Sequence, residues 1–141
     1  MKRLEQKNVK YIMLHCSATF PGQQCDAEII NGWHRQRGFD MIGYHYVVHT
    51  DGFIEHGRPL YQQGAHCAKG GMNAKSIGIC YIGGYDADGR TADTRTAAQK
   101  EAIRRVIANL RLRFPEAQVI GHRDVDAGKA CPCFDAKTEY G

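Results

Sequence analysis

Near the C-terminus, Ile120-Gly121-His122-Arg123-Asp124-Val125-Asp126-Ala127-Gly128-Lys129-Ala130-Cys131-Pro132-Cys133-Phe134 places an imidazole, a lysine and a thiol in one glycine-containing loop. The loop follows directly on a short apolar run. Imidazole and thiolate are the ligand types that borderline-soft Zn²⁺ prefers. One histidine and one cysteine do not complete a site, so a third ligand must come from elsewhere. His15 is the best candidate, because it closes the apolar run Val9-Lys10-Tyr11-Ile12-Met13-Leu14. Two strand ends lying side by side can bring such distant ligands together. Three protein ligands leave one tetrahedral position for water, which is the catalytic rather than the structural arrangement. Against this stands the ordinary reading of a strand-end histidine as a hydrogen-bonded structural residue. Cys133 also offers a second sulfur, either in place of Cys131 or as a fourth ligand that would close the site. Spacing alone therefore supports a metal-assisted hydrolase and no particular substrate.

Several elements must position these groups. Val9 to Cys16 reads as a buried strand, broken by Phe20-Pro21-Gly22. Asp26 is an N-cap for a helix with Ile29, Ile30, Trp33 and Arg37 on one face, the Arg37 stem covering the apolar edge and Gly38 ending it. His34 falls beside that stripe as a structural or surface residue. Gly43 to His49 is strand-like, and Asp51-Gly52 signals a hairpin into Phe53-Ile54-Glu55-His56. Strand alternation points Tyr44 and His45 to opposite faces, so His45 is read as structural. His49 and His56 flank the hairpin without an assigned role. The long polar loop from Gly57 to Lys75 reads as a binding surface.

Ser76 to Ile82 is an apolar strand closed by Gly83-Gly84, and Asp86-Ala87-Asp88-Gly89 reads as a turn, lacking the ligand pattern of a calcium loop. Thr96-Ala97-Ala98-Gln99 has capping-box spacing and opens the strongest helix. Its stripe is Ile103, Val106, Ile107, Leu110 and Phe114, and Pro115 ends it. Gln118 to Gly121 is a short strand delivering His122. The whole predicts a single-domain α/β fold, a central mixed β-sheet flanked by helices with the zinc site at strand ends. Residues 1–8 form an N-terminal extension and residues 9–141 the domain.

Length and composition narrow the function classes. A chain of 141 residues fits one domain with a substantial core. The formal charge of +4 suits approach to an anionic polymer such as a cell wall, and is equally ordinary without one. No dense Lys/Arg stripe argues for nucleic acid. The N-terminus Met1-Lys2-Arg3-Leu4-Glu5-Gln6-Lys7-Asn8 is charged and carries no secretory signal, and no segment is long enough to span a membrane. The expectation is cytoplasmic synthesis, with a separate route to any wall. Of the six cysteines, Cys16 and Cys80 lie in strand-like runs and read as small buried hydrophobes, while Cys25, Cys67 and Cys133 lie in loops. Reduced thiols follow from that setting.

Five motifs occur in order: His15-Cys16-Ser17-Ala18-Thr19, Gly43-Tyr44-His45, Gly64-Ala65-His66, Asn73-Ala74-Lys75-Ser76-Ile77-Gly78-Ile79 and Gly121-His122-Arg123-Asp124. The series resembles the type 2 N-acetylmuramoyl-L-alanine amidase family, which includes amidase-type phage lysozymes and the peptidoglycan recognition proteins. The resemblance runs from about Val9 to Asp135. It implies that the domain over 9–141 is a zinc amidase with the same mixed α/β architecture. It further implies hydrolysis of the amide between the lactyl group of N-acetylmuramic acid and L-alanine of the stem peptide.

Zn²⁺ would be held by His15, His122 and Cys131. The segment Lys129-Ala130-Cys131-Pro132 is similar to that of the phage enzymes, although the His122-to-Cys131 interval is one residue longer, an extra residue that Asp126-Ala127-Gly128 can absorb. The resemblance makes Lys129 catalytic, where the residue alone reads as a solvated loop lysine. Tyr44 matches the catalytic tyrosine of the hydrolytic members. His66 and Asn73 match groove-lining positions, so both are expected to contact substrate, although Asn73 equally suits a loop-stabilising role. Arg123 is expected to bind a peptide carboxylate, and Asp124 to orient the loop. The cysteine ligand and the N-terminus favour a phage or prophage endolysin acting on peptidoglycan or muropeptides as a monomer. The alternatives are a non-catalytic peptidoglycan-binding module, a cytosolic muropeptide-recycling amidase and a structural zinc domain.

Overall fold

The computed structural model describes residues 1–141. Five strands and three α-helices appear in chain order: β1 (Tyr11–Cys16), α1 (Ala27–Gln36), β2 (Tyr46–Val48), β3 (Ile54–His56), β4 (Ser76–Tyr81), α2 (Ala97–Arg113), β5 (Gln118–Gly121) and α3 (Ala136–Tyr140). The sheet order is β3-β2-β4-β1-β5, with β1 central between β4 and β5. The pairings β2–β4, β4–β1 and β1–β5 are parallel, and β3 alone runs antiparallel at the edge. This is the predicted mixed sheet. Being covered on both sides, β1 and β4 are buried along nearly their whole length, with mostly apolar residues on both faces rather than on alternate positions.

The parallel strands end on one side of the sheet, and the chain leaves each of them there. His15 sits near the end of β1, with Cys80 opposite it on β4. His122 opens a 3₁₀ turn, His122–Asp124, directly after β5. Register thus brings two candidate ligands from distant parts of the sequence to neighbouring strand ends, where ligands of open α/β sheets gather.

The longest helix explains much of the core. Thr96 Oγ1 accepts from the Gln99 amide at 3.0 Å while Gln99 Oε1 accepts from the Thr96 amide at 2.9 Å, closing the predicted capping box. Ala102, Ile103, Val106, Ile107 and Leu110 pack with Phe114 against Ile12, Leu14, Ile77 and Ile79. Gln99 is fully buried, and its Nε2 donates to the carbonyls of Val48 and Ile82, tying the helix start to the ends of β2 and β4.

The hairpin forms as predicted, with Gly52 at φ +88° and His49 N–H donating to Phe53 O at 2.8 Å. The strand begins at Tyr46 rather than Gly43. Residues 43–45 instead receive the long loop: Ala65 N–H donates to Gly43 O, and a Cβ on Gly43 would lie 2.2 Å from the Ala65 carbonyl oxygen. Only glycine permits that approach.

Three features depart from the sequence reading or extend it. In α1, His34 is buried, its Nδ1 accepting from Gly43 N–H at 2.8 Å, whereas Arg37 is exposed with its guanidinium over the Phe39 ring. A tertiary hydrogen bond, which helical periodicity cannot reveal, selects the buried side. Residues 1–8 contain no strand or α-helix, yet Leu4 is buried in the main core and its N–H donates to Tyr61 O at 2.7 Å. The short helix α3 is capped by Asp135, and Arg95 clasps it through Glu139 and Tyr140.

Candidate active site

His15, His122 and Cys131 converge. Their ligand atoms all lie within 4.8 Å of one another, and no fourth His, Cys, Asp or Glu joins the group. His15 is buried at the end of a central strand, and its Nδ1 faces Cys131 Sγ at 3.8 Å. The His122 ring stands 4.7 Å from that of His15. Burial, reinforced by the neighbouring His66 and His122, lowers the His15 pKa well below its usual value. Burial lowers that of His122 as well. Both imidazoles are therefore neutral near pH 7, the form that binds a metal.

The loop that presents Cys131 is held from several sides. Asp124 Oδ2 accepts from Gly121 N–H at 2.7 Å, the orienting bond foreseen for it. Arg123 N–H donates to Cys131 O at 2.8 Å, and the buried Tyr81 hydroxyl donates to Pro132 O at 2.7 Å. Cys16 N–H donates to Cys131 Sγ at 3.2 Å. Cys133 is turned elsewhere, towards Cys16 Sγ at 3.9 Å and Gly84 O at 3.6 Å, and burial pushes its thiol up to about 12. Two imidazoles and the Cys131 sulfur suit a zinc ion, and the donor set leaves a coordination position for a reacting group.

The cluster lies in a cleft of about 430 Å³ that Tyr44 and Lys129 also line. The Tyr44 ring stands 5.1 Å from His15. Burial, with Cys80 and Cys131 nearby, raises the Tyr44 pKa well above its ordinary value, so the phenol carries its proton at neutral pH. The opposite face of that segment is closed: His45 is buried, with Nε2 bonded to Gln62 O at 2.8 Å and Nδ1 accepting from Gly78 N–H at 3.0 Å.

The three residues expected to meet substrate fall in different places. His66 is buried beside the cluster, with Nδ1 2.8 Å from His15 Nε2. Asn73 lines an adjoining groove that shares Arg37, His66, His122 and Lys129 with the cleft, and its Oδ1 accepts from the amides of both His66 and Cys67. Arg123 is exposed and lies outside both cavities. Sequence reasoning did not foresee Trp33, His34, Arg37, Phe39, Tyr85 and Thr91 in the cleft wall. A helix face read only for burial does not distinguish a core from a cleft.

Comparison with known proteins follows the same lines. A family model described as N-acetylmuramoyl-L-alanine amidase matches residues 5–134. The chain is 36% identical over 133 residues to an endolysin of Klebsiella phage KP32, covering 94% of this chain and 86% of that protein. An endolysin of Escherichia phage T7 is similar to the same extent, with identical identity and coverage. Among solved structures, N-acetylmuramoyl-L-alanine amidase LysC from Clostridium intestinale URNW superposes with a TM-score of 0.79 at 25% identity, over 99% of this chain and 86% of that one.

Proposed function

The chain belongs to the N-acetylmuramoyl-L-alanine amidase family, and from that membership we propose that it cleaves peptidoglycan at the amide joining the lactyl group of N-acetylmuramic acid to L-alanine. It is an amidase of the endolysin kind. The observation that carries the chemistry is the convergence of His15, His122 and Cys131 without a fourth protein ligand. These three residues would hold Zn²⁺. Held there, Zn²⁺ would lower the pKa of a bound water towards neutrality and would act as a Lewis acid on the scissile carbonyl.

The remaining work falls to side chains around it. Tyr44, protonated and within the cleft, donates a hydrogen bond to the oxygen on which negative charge develops. Lys129, on the exposed loop two residues before Cys131, places an ammonium at the same cavity and offsets that charge. Arg37 adds a second cation to the rim, where carboxylates of a stem peptide would approach. Asn73 shapes the adjoining groove by fixing the loop that walls it. No helix of the chain is long and apolar enough to cross a membrane; the proposal is completed by action as a monomer on a wall reached by a separate release route.

Digestion of purified peptidoglycan tests the reading, with zinc quantified in the same preparation. Mass spectrometry should find peptides with a free L-alanine amino terminus and glycan that keeps its lactyl groups. Chelation should stop the reaction and Zn²⁺ should restore it. Full activity in metal-free protein, cleavage at sugar–sugar or peptide–peptide bonds, or wall binding without product would each reject it.

A further inference from the structure

We propose that His66 is a positioning residue that sets the tautomer and direction of the metal ligand His15, rather than a contact for the peptide. The inference rests on the zinc reading above. It follows from a hydrogen-bond chain whose direction can be worked out from its far end. Ser76 Oγ lies 2.6 Å from the Met72 carbonyl, which can only accept, so the hydroxyl donates there. The Ser76 oxygen must then accept from His66 Nε2, 3.3 Å away. A neutral imidazole has one proton, so His66 Nδ1 is an acceptor, and its partner His15 Nε2, at 2.8 Å, is the donor. That leaves the lone pair of His15 Nδ1 bare on the side that faces Cys131 Sγ. Histidine ligands generally donate their second ring nitrogen to a partner that fixes orientation; here another histidine fills that role.

The seat of His66 is built for the purpose. Its ring meets that of His15 edge-on, at 84°. A Cβ on Gly78 would lie 2.7–2.9 Å from three of its ring atoms, and one on Gly64 would lie 2.4 Å from its Cδ2. Asn73 Oδ1 accepts from the amides of His66 and Cys67 at 2.9 Å each, holding the backbone from which the ring projects. Gly64, His66, Asn73, Ser76 and Gly78, which occupy two of the sequence motifs, thereby serve a single contact. Both ring nitrogens of His66 are used inside the protein, and none is left for a substrate.

Zinc affinity by competition with a chromogenic chelator provides the test, measured on the full chain alongside kcat and KM. His66→Ala should weaken zinc binding roughly 10- to 100-fold without raising KM at saturating zinc. His66→Asn, whose Oδ1 replaces the accepting Nδ1, should recover most of that affinity. Ser76→Ala, which leaves the His66 ring in place but removes the group that orients its proton, should weaken binding several-fold; it decides the matter if His66→Ala does not fold. Wild-type affinity in both Ala variants, or a rise in KM alone, would overturn the proposal while leaving the zinc reading intact. Absence of zinc binding in the unaltered protein would overturn both.

Discussion

Tyr44 and Lys129 reach the cleft from separate segments, one just before β2 and one in the loop after β5. Neither has an atom in the metal-ligand cluster, so each can be altered without removing a ligand. Tyr44→Phe deletes one hydroxyl from a ring packed beside His15. The expected result is unchanged zinc content and fold with kcat reduced on the order of a hundredfold. Lys129→Ala, on an exposed loop, should lower kcat comparably if its charge faces the oxyanion. Near-normal turnover in both variants at full zinc occupancy would remove these residues from the mechanism. At the same scale, the choice between the two thiols is geometric: Cys131 Sγ receives the Cys16 amide while Cys133 is directed at Cys16 Sγ and Gly84 O.

Among the elements, α3 and the strand-free segment before it depend on one side chain. The Arg95 side chain is fully buried. It donates to Asp93, Glu139 and Tyr140, and its guanidinium lies 3.3 Å from the centroid of the Phe134 ring. Phe134 closely follows Cys131-Pro132-Cys133, so this clamp also braces the C-terminal side of the ligand loop. Arg95→Met should destabilise the metal-free protein by roughly 2–3 kcal/mol in urea unfolding. That is less than the ~3–5 kcal/mol typical of a fully buried pair, because the Asp93 and Glu139 carboxylates stay partly in water. A change below about 0.5 kcal/mol, the range of ordinary surface substitutions, would show that α3 is held by packing alone.

For the whole molecule, buried histidines make stability depend on pH. Burial lowers His34 and His45 to about 4 and His66 to about 3. In the unfolded chain each titrates near ~6.5. Between those values the unfolded state binds more protons, so stability is fully present above the unfolded pKa and is lost as pH falls towards the folded one. Each such group contributes at most about 1.4 kcal/mol per pH unit. With a chelator present to remove the metal contribution, the unfolding free energy should fall by about 2 kcal/mol or more between pH 7.5 and 5.0. A flat profile would mean that these rings are solvated in the folded protein.

Local signals determined a large part of this molecule. The capping box at Thr96 and Gln99, the stop at Pro115, the Asp51-Gly52 turn and the apolar run ending at His15 each act within a few residues, and each is where the sequence places it. That His15, His122 and Cys131 could converge was readable because His122 and Cys131 share one loop and His15 ends a strand. Tertiary structure decided what depends on distant partners. Placing β1 between β4 and β5 requires pairings across more than 60 positions, and no short-range pattern encodes them. The loop from Gly57 to Lys75 has no period, so nothing in it says which way His66 points. That direction comes from Gly43 admitting Ala65, from the space over Gly78, and from His15 itself. A periodic element carries its own orientation in its residues, whereas an aperiodic loop takes its orientation from whatever surface it lands on.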